Sequence, residues 1–63
     1  MKLVTLIFLS AFDIWKFKQE CKLRNLHIDF DELSLTGNLP QEDIDIALND
    51  FKARIKDAVS NSL

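Results

Sequence analysis

Little in this 63-residue chain is built for chemistry: it holds one cysteine, one histidine, one glycine and one proline. Each scarcity removes a class of function. Cys21 alone cannot close an internal disulfide, so the chain needs no oxidising compartment. Cys21 and His27 together are too few for a zinc site. With Gly37 as the only glycine there is no phosphate-cradling glycine-rich loop. Ser10 has no adjacent base to make it a nucleophile. A formal net charge of −2 supplies no basic surface for phosphate contacts, so nucleic acid is not an expected partner. The longest apolar run, LVTLIFLSAF from Leu3, stops at Asp13, well short of the about 20 residues a membrane-spanning helix needs.

What is present is a hydrophobic fraction of 48%, far above the disordered class, in a chain small enough to be marginal alone. One domain over residues 1–63 is expected, and self-association is the remaining way to add buried surface. Charge is segregated along the chain. Residues 1–24 carry five Lys/Arg against Asp13 and Glu20; from Asn25 to Phe51 there are seven acids and no Lys or Arg; Lys52, Arg54 and Lys56 then follow. Such a basic, acidic, basic order can support contacts between unlike surfaces as well as plain solvation.

Periodicity gives the elements. Lys2–Leu9 is rich in Val, Ile, Phe and Thr, with Val4, Leu6 and Phe8 on one face and Leu3, Thr5, Ile7 and Leu9 on the other, which predicts a central strand. The same residues after Lys2 have the outline of a signal peptide. That alternative makes the chain a small secreted or periplasmic protein losing its first twelve or so residues. The central-strand reading carries the expectation of a cytoplasmic protein. Ser10 is placed to cap a helix running to about Arg24, with Ile14, Phe17 and Cys21 as its buried stripe. Leu26, Ile28 and Phe30, alternating with His27, Asp29 and Asp31, predict a second strand. A turn at Asp31-Glu32 leads to a third strand from Leu33, ended by Gly37. Pro40 opens a second helix with Ile44, Ala47, Leu48 and Phe51 buried, and Asn49-Asp50 can supply its left-handed end. Phe51, Ala53 and Ile55, alternating with Lys52, Arg54 and Lys56, read as a fourth strand, covering an edge of the first. A longer C-terminal helix is the alternative over these residues. Ser60–Ser62 read as a polar tail.

Strand, helix, hairpin, helix, strand is the βαββαβ ferredoxin-like pattern: an antiparallel four-stranded sheet with two helices on one face. The stretch IDFDELSLTGNLPQEDIDIALNDFKARI resembles the second half of a heavy-metal-associated domain, as in copper chaperones. The residues that carry the likeness are Ile28-Asp29-Phe30, Leu33 to Gly37, Pro40-Gln41-Glu42, Ala47 and Phe51-Lys52-Ala53. In that family a Cys-x-x-Cys pair between the first strand and first helix binds soft metal ions. Here the loop is Leu9-Ser10-Ala11-Phe12-Asp13, without cysteine, histidine or methionine, and Asn49-Asp50 stands where the family has glycine before the aromatic. The resemblance therefore implies the fold and no metal, and no cofactor is expected. A calcium loop also fails: counted from Asp29, Ser34 and Pro40 occupy the positions where glycine and a carboxylate are required.

The remaining candidates form a surface. Cys21 reads as a packed residue rather than a nucleophile. Phe12 and Trp15 fall off the buried stripe of the first helix and would make an aromatic contact patch if exposed together. Leu3, Thr5 and Ile7 would face out from the uncovered side of the sheet, with Lys52 and Arg54 at a basic edge. Two copies packed face to face could set basic edges against acidic ones, an isologous arrangement. The expectation is a non-catalytic interaction module whose partner is a second copy or another protein. A small enzyme using His27 is a third reading.

Overall fold

The computed structural model describes residues 2–22 and 25–59, with side chains placed as far as Lys56. Six elements follow one another: β1 (Lys2–Ile7), α1 (Ala11–Cys21), β2 (His27–Asp29), β3 (Ser34–Leu39), α2 (Gln41–Asp50) and β4 (Arg54–Val59). The four strands form one antiparallel sheet in the order β2-β3-β1-β4. This is the ferredoxin-like α+β arrangement. The final segment is the strand rather than the longer helix.

β1 is central because both its faces are largely apolar. Val4 and Leu6 pair with Gly37 and Leu35 of β3, so these residues share one face of the sheet. Against that face α1 buries Ile14 and Phe17, and α2 buries Ile44 and Ala47. Phe8, Phe17 and Phe51 close the middle of the core. Their ring centroids are 5.2 Å (Phe8–Phe17), 6.1 Å (Phe8–Phe51) and 5.6 Å (Phe17–Phe51) apart, and the two Phe51 contacts are edge-on.

Local chemistry sets the element ends. Ser10 caps α1, its Oγ accepting from the Asp13 N–H at 3.2 Å. α1 stops at Lys22, which turns left-handed (φ 51°) and donates its N–H to the Lys18 carbonyl; the expected continuation to Arg24 lies outside the described residues. The Pro40 carbonyl accepts the first α2 bonds from Asp43 and Ile44, placing the proline one residue ahead of the helix. At the far end of α2 the left-handed residue is Lys52 (φ 58°), not Asn49 or Asp50. Ala53 N–H then reaches back to the Ala47 carbonyl at 3.0 Å.

All four strands differ in their bounds from the sequence reading. β1 ends at Ile7; Phe8 stays buried and Leu9 swings into solvent. β2 ends at Asp29 because its Oδ1 accepts from the N–H groups of Asp31 (3.0 Å) and Glu32 (3.3 Å). That Asx turn takes Phe30 out of the strand and onto the surface. β3 starts one residue late, since Leu33 is left-handed (φ 57°), and runs through Gly37 to a fully buried Leu39. Gly37 has no positive φ and sits under Leu26, so it serves close packing rather than a turn. Finally, β4 starts at Arg54, leaving Phe51 and Ala53 buried ahead of it. Lys56 is an extra residue between the pairs Leu6–Ile55 and Thr5–Asp57. This bulge breaks the alternation beyond Ile55; Ile55 itself keeps its pairing with buried Leu6 but, on an edge strand, is exposed.

Candidate functional site

The antiparallel connections fix what meets at each end of the sheet. Ile7 pairs with both Ser34 and Arg54, and Ser34 pairs with Asp29. The Phe8 N–H donates to the Leu33 carbonyl at 2.8 Å, holding the β1–α1 connection beside the β2–β3 turn. One end of the molecule is therefore built from three connections: residues 8–10 with the start of α1, the turn 30–33, and the α2–β4 link 51–53.

Most of the exposed large hydrophobics gather at this end. Leu9 (68% exposed) leaves β1, Phe12 (64%) and Trp15 (55%) lie on the first turns of α1, and Phe30 (57%) tops the β2–β3 turn. Phe12 and Trp15 stack against each other, ring centroids 6.0 Å apart and planes inclined by 31°. Ile14 and Phe17 are wholly buried, so the helical period turns Phe12 to the side of α1 away from the sheet. Charges of both signs surround this apolar end. Asp31 and Glu32 stand on the β2–β3 side, with Asp50, Lys52 and Arg54 on the side of the α2–β4 link; all five are exposed. Lys56 Nζ meets Glu32 Oε1 at 2.9 Å, an exposed ion pair that links β4 to the turn entering β3.

The uncovered face of the sheet is more polar. Thr5, Thr36 and His27 share one level across β1, β3 and β2, and the Thr5 and Thr36 hydroxyls are hydrogen-bonded at 2.9 Å. Ile7 lies between Ser34 and Arg54, with Asp29 beyond Ser34, and Leu3 lies beside Asn38. The apolar contribution of β1 to this face is thus Leu3 and Ile7. Of the residues singled out in the sequence, Leu3, Thr5 and Ile7 lie together on this face, while Phe12 and Trp15 lie together on α1. Lys52 and Arg54 join the end carrying the aromatics. Phe30 and Ile55 were missed because alternation assigned both to the core. The signal for Phe30 was Asp29, an Asx-turn former one residue ahead.

The chemical candidates are quiet. Cys21 is half-buried against the core, and its thiol is pushed up from the ordinary 9.0 to about 11. The causes are burial first, then the charge of Asp43 and a hydrogen bond to its carboxylate, then Glu20. A thiol so held is a poor nucleophile. His27 is exposed on the edge strand β2. Among the described residues, no three His, Cys, Asp or Glu side chains come together as a metal site. No helix among them is long and apolar enough to cross a membrane. Comparison with protein-family models, curated proteins and solved structures finds no match to this chain.

Proposed function

We propose that this chain is a non-catalytic interaction module that works by self-association, on a scaffold akin to the heavy-metal-associated domain but without its thiols. The observation that carries the reading is the gathering of exposed Leu9, Phe12, Trp15 and Phe30 at one end of a very small domain. Isolated exposed apolar residues are ordinary; several large ones at one end mark a contact surface. Aromatic side chains, Trp above all, are enriched where interfaces carry their binding energy. The scaffold part of the proposal is supported by the order of elements and by the likeness running from Ile28 to Ala53. The loop Leu9–Asp13 offers no soft ligand, and the raised Cys21 thiol lies at the other end of α1.

Sedimentation equilibrium over a wide concentration range tests the reading. The expected result is a mass rising from 7.3 kDa toward twice that value. A single 7.3 kDa species at every concentration contradicts it.

A further inference from the structure

Resting on that self-association, we infer where the two copies meet: at the end bearing Phe12 and Trp15, about a two-fold axis along the sheet normal, and not across the open face of the sheet.

The choice of surface follows from what each offers. The open face presents only Leu3 and Ile7 as apolar residues of β1, among Thr36, His27, Asn38, Asp29 and Arg54, and its two threonine hydroxyls already satisfy one another. The end offers Leu9, Phe12, Trp15 and Phe30, each more than half exposed.

The occupant follows from charge. The sheet order β2-β3-β1-β4 sets the acidic turn (Asp31, Glu32) over one side of the end and the link with Lys52 and Arg54 over the other, where exposed Asp50 at the end of α2 leaves a smaller net positive charge. The turn tops β2 and β3, and the link leads into β4, so β1 lies between them. An isologous contact needs a surface complementary to itself. A two-fold along the sheet normal reverses both the strand direction and the left-to-right order of the strands. It therefore brings the acidic turn of each copy to the basic link of the other. A two-fold running across the strands would instead set acid on acid and base on base, which is repulsive. Glu32 already pairs with Lys56 within its own copy, so Asp31 is the acid left to meet Lys52 and Arg54 of the second copy. Phe30, in the same turn as Asp31, is carried with it to the basic link of the second copy. An anionic membrane fits this end poorly, because Asp31 and Glu32 would face lipid headgroups of their own sign.

Sedimentation of four variants, each checked for native circular dichroism, decides the matter. The Phe12→Ser/Trp15→Ser variant should weaken association at least tenfold, and Ile7→Lys should leave it within about threefold of native. Asp31→Lys alone should weaken it, and adding Lys52→Glu and Arg54→Glu to Asp31→Lys should restore it, since the reversed pairs attract as the native ones do. An oligomer untouched by the aromatic changes but broken by Ile7→Lys overturns the inference and moves the interface to the sheet face, with self-association intact. A charge-reversed triple variant that stays weak overturns the two-fold relation. A native chain that remains monomeric defeats the underlying reading instead. If it also floats with phosphatidylserine vesicles in a Trp15-dependent way, the occupant is a lipid surface and the inference falls.

Discussion

Cys21 on the last turn of α1 lies within the electrostatic reach of Asp43 on the first turn of α2. Burial first, and then the Asp43 carboxylate, raise its thiol to about 11. At pH 8 Cys21 is therefore expected to react with a soluble thiol reagent many times more slowly than a free cysteine. Asp43→Asn removes the carboxylate charge and should speed the reaction. A rate equal to that of a free thiol would contradict that arrangement. The same shift gives a pH dependence. The folded thiol keeps its proton to higher pH than the unfolded one, so the associated stability is complete below 9.0 and is lost as pH rises through about 11. Thermal melts of the native chain and of Cys21→Ala should diverge over that window, the native chain falling faster.

The three-phenylalanine core sets a large contrast between faces of one helix. Phe17 is fully buried between Phe8 and Phe51, and Phe12 is mostly exposed. Truncating a buried phenylalanine to alanine costs about 3–5 kcal/mol. A domain of 63 residues has roughly 3–9 kcal/mol in total. Phe17→Ala is thus expected to leave the chain largely unfolded by circular dichroism. In urea at concentrations where the chain is monomeric, Phe12→Ala should shift stability by less than about 0.5 kcal/mol.

Gly37 distinguishes shape from backbone freedom. A Cβ built there would lie 2.5 Å from Leu26 Cδ2, the far end of a flexible side chain. The φ at Gly37 is one that any residue can adopt. Gly37→Ala is expected to be nearly neutral in urea unfolding, because the loss of unfolded-state entropy offsets the displacement of Leu26. Gly37→Val is expected to cost about 1–3 kcal/mol by overpacking. Equal costs for the two would show that Leu26 does not set the limit.

Ser10 carries the entry to α1. Its removal as Ser10→Ala should cost about 1 kcal/mol, and Ser10→Asp should restore most of that through the same bond to the Asp13 N–H.

Much of this fold was legible in the sequence because the strong signals agreed. β1 showed itself by two apolar faces, α1 by the Ser10 cap and the Ile14/Phe17 stripe, and α2 by Pro40 and the Ile44/Ala47 stripe. The errors fell where a local hydrogen bond or an edge position overrode alternation. Asp29 folded back onto Asp31 and Glu32 and expelled Phe30; Ile55 kept its pairing with Leu6 but lies exposed on the edge strand β4. Gly37 looked like a terminator because a glycine can end a strand, but here it admits Leu26. The surface was legible in part. Phe12 and Trp15 were visible from helical phase, whereas their assembly with Leu9, Phe30, Lys52 and Arg54 depended on which connections share an end of the sheet.

Trp15 is the only tryptophan in the chain and is half exposed in the single copy, so its own fluorescence reports the proposed contact without any substitution. Emission spectra should be recorded across the same concentrations as the mass. The expected result is a shift to shorter wavelength that follows the rise in mass, as the indole leaves water at the interface. Emission that holds its position while the mass rises, or a mass that never rises, would contradict association through this end of the molecule.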